Sequence, residues 1–322
     1  MKRTAAAQPE VATLFIAASE LDSNLYYATR FVAPDPFIYM EVKGERLLIM
    51  SDLEMDRAKS QASVDRVLSY SELEKKAKSS GTKEPSTVDI VHVILREAKV
   101  RQLLVPANFP FIHATRLQEL GYSMKPKRDP FYERRVVKTA EEVRCIEAAQ
   151  RATEEAVAAA HATLKQATIR GGELWLDGEV LTSERIKKLI NVKLMERDCV
   201  AQHTIVAGGE QACDPHHEGT GPLPANRSII FDVFPRSANS RYFADMSRTV
   251  IRGTASPELK RLYQTVKDAQ EEAITKVKDG ADGMKIHQGI CDRFEKAGYK
   301  TGLVDGRMQG YFHGTGHGVG LD

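Results

Sequence analysis

Two apolar runs on either side of residue 238, each carrying a single aspartate, constrain this chain more than any other feature. Ile229-Ile230-Phe231-Asp232-Val233-Phe234 is followed by a polar stretch from Pro235 to Ser240, then by Arg241 to Val250 with Asp245 inside it. Two apolar runs around a turn-forming segment read as a β-hairpin. With the turn centred between Ala238 and Asn239, paired positions sum to 477 and Asp232 stands opposite Asp245. Directly opposed residues share a face, with Cβ atoms about 5 Å apart. Two carboxylates in that position repel, and burying them unpaired is costly. A divalent cation between them would turn the cost into a binding site. Two other readings stay open. A slip of one residue puts the carboxylates on opposite faces, and a hairpin with both aspartates in solvent needs no cation.

The second dense motif is His313-Gly314-Thr315-Gly316-His317-Gly318-Val319-Gly320. It lacks the G-x-G-x-x-G spacing and a strand-to-helix setting, so it is not read as a nucleotide loop. Four glycines argue against a helix, so the histidines are not an i, i+4 ligand pair. In an extended segment they share a face about 13 Å apart, at roughly 3.3 Å per residue. One cation cannot take both; one ligand and one residue that either supports a ligand or contacts substrate is the natural division. Glycines beside a ligand let backbone and substrate approach closely. A glycine-rich loop with incidental histidines is the plainer alternative. Asp214-Pro215-His216-His217 is a third piece, with Pro215 restricting Asp214 and setting a turn. His203 and Cys213 lie near it, but their spacing matches no structural zinc pattern. No Gly-x-Ser-x-Gly elbow is present, and no cysteine stands out as a nucleophile. The histidines at 92, 113, 161, 203 and 287 are taken as ordinary.

The rest of the chain divides into two patterns. Residues 1–130 read as α/β: strands at Leu14–Ala18, Phe37–Val42, Arg46–Met50 and Gln102–Val105, with helices at Ser86–Lys99 and Pro110–Leu120. Residues 122–133 carry two prolines and clustered charge, and the domain boundary is placed there. Residues 131–322 read as α+β. Thr139 and Glu142 have capping-box spacing for a helix reaching Leu164. A second helix covers Thr182–Arg197. Strands follow at Cys199–Ala207, Arg227–Phe234 and Arg241–Ile251, and two further helices start at Ser256 and Asp282. In 322 residues, 46 Lys and Arg against 44 Asp and Glu leave a charge of +2, with no basic run. Nothing there suggests nucleic acid as a partner. No apolar stretch reaches the roughly 18 residues of a membrane helix, so no membrane partner is expected. Four scattered cysteines without a C-x-x-C read as small buried side chains in a reducing, cytoplasmic setting.

Taken in order, these pieces resemble the two-metal peptidases that include Xaa-Pro aminopeptidase, prolidase, methionine aminopeptidase and creatinase. Tyr27-Ala28-Thr29-Arg30-Phe31 resembles a Y-L-T-G-F segment of the family's N-terminal domain. Lys138-Thr139-Ala140-Glu141-Glu142 resembles the start of its catalytic domain. Ile205 to Gly209 followed by Pro215-His216, then Asp232 and Asp245-Met246-Ser247-Arg248-Thr249, and finally the His313–Gly320 segment, match its motifs in sequence order. The resemblance implies a creatinase-like α/β domain followed by a pseudo-symmetric α+β "pita-bread" catalytic domain. It implies Asp232, Asp245 and His317 as ligands of two divalent ions, manganese by preference and cobalt or zinc otherwise. His216 and His313 would contact substrate and stabilise the tetrahedral intermediate, with Arg248 a structural neighbour. The substrate would be a proline-containing peptide, cut before proline, and the enzyme a homodimer.

The departures mark a subfamily. Phe234 replaces the family's usual Gly or Ala, Ser247 replaces Thr, and the aspartates lie thirteen positions apart where eleven is common. The family also carries two glutamate ligands beyond the second histidine, whereas this sequence stops at Asp322. It therefore reads as C-terminally shortened, with three of five ligands. Prolidase action, a metal-free creatinase-like amidinohydrolase and a non-catalytic binding module remain as alternatives.

Overall fold

The computed structural model describes residues 10–322. The chain forms two compact units, Met1–Val137 and Lys138–Asp322.

The first unit is a mixed sheet with helices on both faces. Its elements are β1 (Val11–Ala17), α1 (Ser23–Thr29), β2 (Phe37–Val42), β3 (Glu45–Met50), α2 (Met55–Gln61), β4 (Arg66–Ser69), α3 (Tyr70–Ser79), α4 (Thr87–Ala98), β5 (Gln102–Pro106), α5 (Phe111–Glu119) and β6 (Ser123–Lys127). The sheet order is β4-β3-β2-β1-β5-β6. Side chains alternate across β1: Leu14 and Ile16 join Ile38, Met40, Val91 and Leu95 on one face, while Phe15 joins Leu25, Phe31, Tyr39 and Leu48 on the other. A central strand covered on both sides has no polar face, hence its unbroken apolar run. Phe131, which the sequence reading placed in the second segment, is buried in this core against Phe15 at 4.8 Å between ring centroids. The proline-bearing stretch 122–133, taken from the sequence as the place of the domain boundary, contains β6. Pro126 is tolerated there because β6 is an edge strand.

The second unit opens with α6 (Ala140–Gln166), whose capping box is formed: Thr139 Oγ1 accepts from the Glu142 N–H, and the Glu142 carboxylate accepts from the Thr139 N–H at 2.7 Å. A small meander follows, β7 (Thr168–Arg170), β8 (Glu173–Leu176) and β9 (Glu179–Val180), then α7 (Ser183–Met195). Ala149, Ala152, Ala156 and Ala160 of α6 pack into one core with Ile186, Ile190 and Leu194 of α7. Next come β10 (Cys199–Val200), β11 (Ile205–Gly208), β12 (Ser228–Val233), β13 (Arg236–Ser237), β14 (Met246–Ile251), α8 (Pro257–Lys276), α9 (Gly283–Lys296), β15 (Gly302–Val304) and β16 (Arg307–Gln309). The central sheet has the order β11-β12-β14, all antiparallel.

Three expectations need correcting. Cys199–Ala207 is not one strand; the backbone breaks at His203, whose φ is 59°. Arg241–Ile251 is regular only from Met246, because the preceding residues turn through Arg241 at φ 65°. Of the four cysteines only Cys199 is buried; Cys213 is exposed in a polar loop. Among the described residues no helix is long and apolar enough to cross a membrane.

Candidate metal centre

β12 carries Asp232 between Phe231 and Val233, both fully buried on the opposite face. Alternation along the strand therefore turns Asp232 to the open face. Its partner in β14 is Ser247, and Asp245 lies two positions earlier. The sequence reading had the two aspartates directly opposed, and the pairing differs by two. The reason is the turn. Arg236 bridges Phe243, Ala244 N–H donates to Pro235 and Ser237 N–H donates to Tyr242. The turn is thus centred between Asn239 and Ser240, one residue later than expected. Moving a turn centre by one residue changes every pairing by two, and a change of two keeps side chains on their original face. The aspartates are diagonal neighbours on one face.

Electrostatics agrees with that placement. Burial raises the Asp245 carboxyl above the ordinary aspartate range, and the charge of Asp232 raises it further. His317 opposes both effects, with Nε2 3.4 Å from Asp245 Oδ2. The Ser247 hydroxyl donates a close hydrogen bond to Asp232. The His317 segment is held to the hairpin through Gly320, whose carbonyl accepts from the Phe243 N–H at 2.7 Å. Tyr242, beside Phe243, donates its hydroxyl to the buried Glu142 at 2.7 Å, tying the Asp245 approach to the start of α6.

The structure brings Asp232, Asp245 and His317 to one place. His216 and His313 are exposed, and none of their described contacts reaches those three. His216 N–H donates to Asp214 Oδ1 at 3.1 Å. The His313 ring packs on Tyr311 at 4.6 Å, and its Nδ1 lies 2.8 Å from Gly314 O. Among the described residues no group of three or more His, Cys, Asp or Glu side chains is placed so that it could hold a metal ion. What is present is Asp245 in contact with His317 and within reach of the Asp232 charge. Two carboxylates and an imidazole suit a hard or borderline divalent ion, and an aspartate raised by its neighbour's charge is the group a cation would relieve.

Two contributors escaped the sequence reading. Glu184, at the start of α7, accepts hydrogen bonds from the far end of the His216 loop. His287 of α9, taken as ordinary, has Nδ1 2.9 Å from Thr315 Oγ1, between the two histidines of the glycine-rich segment. Neither has a local signal, because each partner lies at least 28 positions away.

Comparison with known proteins bears on this geometry. Residues 144–322 match the model of metallopeptidase family M24. An uncharacterized peptidase of Staphylococcus epidermidis is 34% identical over 121 residues, 37% of this chain and 31% of that protein. An Xaa-Pro dipeptidase of Lactobacillus helveticus is 31% identical over 118 residues, 36% of this chain and 29% of that protein. These matches span less than a third of the curated relatives' lengths. Among solved structures, the X-Pro aminopeptidase of Thermotoga maritima superposes with a TM-score of 0.75 at 21% identity, covering 97% of this chain and 80% of that one. The Xaa-Pro dipeptidase of Bacillus anthracis gives 0.76 at 18% identity, covering 97% and 78%. The α/β unit followed by a pita-bread-type unit is therefore a shared fold.

Proposed function

The chain belongs to metallopeptidase family M24, and from that premise we propose that it carries metal ligands of an Xaa-Pro peptidase. The observation that supports this most is the gathering of Asp232, Asp245 and His317, with Asp245 held between a like charge and an imidazole. In this reading the three side chains hold divalent ions, two in number and manganese by preference. Such ions supply an acidified water and a Lewis acid for the peptide carbonyl. Ser247 aims Asp232 by donating to it. The exposed His216 and His313 contact the proline-containing peptide and donate to the carbonyl oxygen as charge develops there. Aminopeptidase action is our preferred specificity.

The test uses the purified protein. Metal content is measured after dialysis against manganese, and hydrolysis is followed on Ala-Pro-Ala and on the dipeptide Ala-Pro. Bound metal, with cleavage of the tripeptide before proline, is the expected result. Absence of both metal and hydrolysis would sink the proposal, and cleavage of the dipeptide alone would move it to prolidase.

A further inference from the structure

The loop that carries His216 leaves β11 through a 3-10 turn, Gly209–Cys213, and returns as Glu218-Gly219-Thr220-Gly221. Its tip makes only local bonds, but its neck is clamped. Gln211 pairs with Thr220 in both directions, accepting from the N–H at 3.0 Å and donating to the carbonyl at 2.9 Å. The return strand docks on β11, where Val206 N–H donates to Glu218 O at 3.0 Å. His203 Nδ1 lies 2.7 Å from Glu218 Oε1, and the Ser183 N–H donates to Gly221 O at 2.9 Å; two side chains of α7 add to this grip. Lys187 Nζ donates to Gly219 O at 2.9 Å. Glu184 Oε1 accepts from the Thr220 hydroxyl at 2.7 Å and from the Gly221 N–H at 3.0 Å, and Oε2 lies 3.2 Å from the same N–H.

We propose that Glu184 is the positioning residue for His216, acting through Thr220 and Gly221 at the neck of the loop. The inference rests on the peptidase reading for what His216 does, but not for where it stands. One carboxylate engages two consecutive residues of the return strand, so it fixes both their height and their direction against α7. Gln211, by contrast, joins the two sides of the loop to each other and anchors neither to the body. Without Glu184 the return strand keeps its bonds to Val206, His203, Lys187 and Ser183 but loses the one side chain that fixes Thr220 and Gly221 together, and the His216 loop loosens with it.

Two measurements decide the matter. In hydrogen exchange, Glu184→Ala is expected to speed the amides of residues 214–221 about tenfold or more while leaving α6 and β12 unchanged. Glu184→Gln keeps a carbonyl oxygen for both donors and should restore most of the protection. Unchanged exchange in Glu184→Ala overturns the inference whether or not the protein is active. In kinetics, Glu184→Ala should lower kcat/KM for Ala-Pro-Ala about 10- to 100-fold, the scale of a misplaced catalytic contact. In a His216→Ala background the same change should cost almost nothing, because the residue it positions is gone. Equal losses in both backgrounds would show that Glu184 acts elsewhere and overturn the inference. An inactive wild type would refute the peptidase reading alone, and the exchange result would still decide for or against the clamp.

Discussion

Gly219 is the position at which a single methyl group should do the most damage for its size. Its φ is +80°, and a Cβ there would stand 1.8 Å from the Val206 carbonyl oxygen and 2.5 Å from the carbonyl carbon. Both atoms are strand backbone and cannot swing away. Gly221, two residues on, supplies an internal control: its φ is +72°, with nothing within 4 Å of the added carbon. Alanine at either site pays about 1–2 kcal/mol for left-handed backbone, and the unfolded-chain entropy change is common to both. Only at Gly219 is there a clash, worth about 1–3 kcal/mol, plus loss of the Val206–Glu218 hydrogen bond at about 0.5–1.5 kcal/mol. Gly219→Ala should therefore be roughly 2–4 kcal/mol less stable than Gly221→Ala. Urea unfolding followed through Trp175, the chain's one tryptophan, reads this unit directly. The two midpoints should differ by about 1 M or more. Coincident midpoints would mean that the return strand does not lie against β11 as described.

Other consequences can be checked in the same way. Asp232→Asn should abolish metal binding yet stabilise the metal-free protein by about 2 kcal/mol, since it removes a like charge roughly 7–8 Å from Asp245 at an effective dielectric near 20; metal analysis beside urea unfolding tests both halves, and destabilisation of the metal-free form would contradict the shared-face geometry. Glu142→Ala removes a helix cap and the acceptor of a buried tyrosine hydroxyl, and a loss of about 2–4 kcal/mol is expected in the same assay. Glu184 titrates at about 2 in the folded protein, chiefly through the Thr220 hydroxyl, against 4.5 ordinarily. A lowered carboxyl stabilises above its unfolded value and loses that contribution as pH falls through the folded one. The Tm gap between wild type and Glu184→Gln should thus be widest above pH 5 and close toward pH 2; a gap that widens on acidification would reverse the assigned sign.

Helices were the easiest elements to see in the sequence, because their caps are local. Thr139 with Glu142, Ser256 with Pro257, and Asp282 each announce a start that the structure contains. The meander β7–β9 was overlooked although Asp177-Gly178 is a recognisable hairpin turn, with both residues at positive φ. Its strands are too short for alternation to show. The aspartate pair was legible as a shared face but not as a register. Register depends on where the turn closes, and here β13 pairs with β10 and Tyr242 with Glu142, contacts at long range. The clamp on the His216 loop was invisible for the same reason: Glu184 meets its partners 36 and 37 positions away.

The displaced turn between Asn239 and Ser240 also bears on how such a site can change over time. In an unbulged hairpin, inserting two residues at the tip leaves each aspartate on its face, while inserting one sends Asp245 through the sheet. Loop length here behaves as a matter of odd and even, not of long and short. Asp232 and Asp245 lie thirteen positions apart, and growth or loss of the tip by two residues would pass without the carboxylates ever losing sight of each other. A single-residue deletion at Ala238 or Asn239 is the smallest lesion that would separate them, and a two-residue deletion there should be the milder of the two.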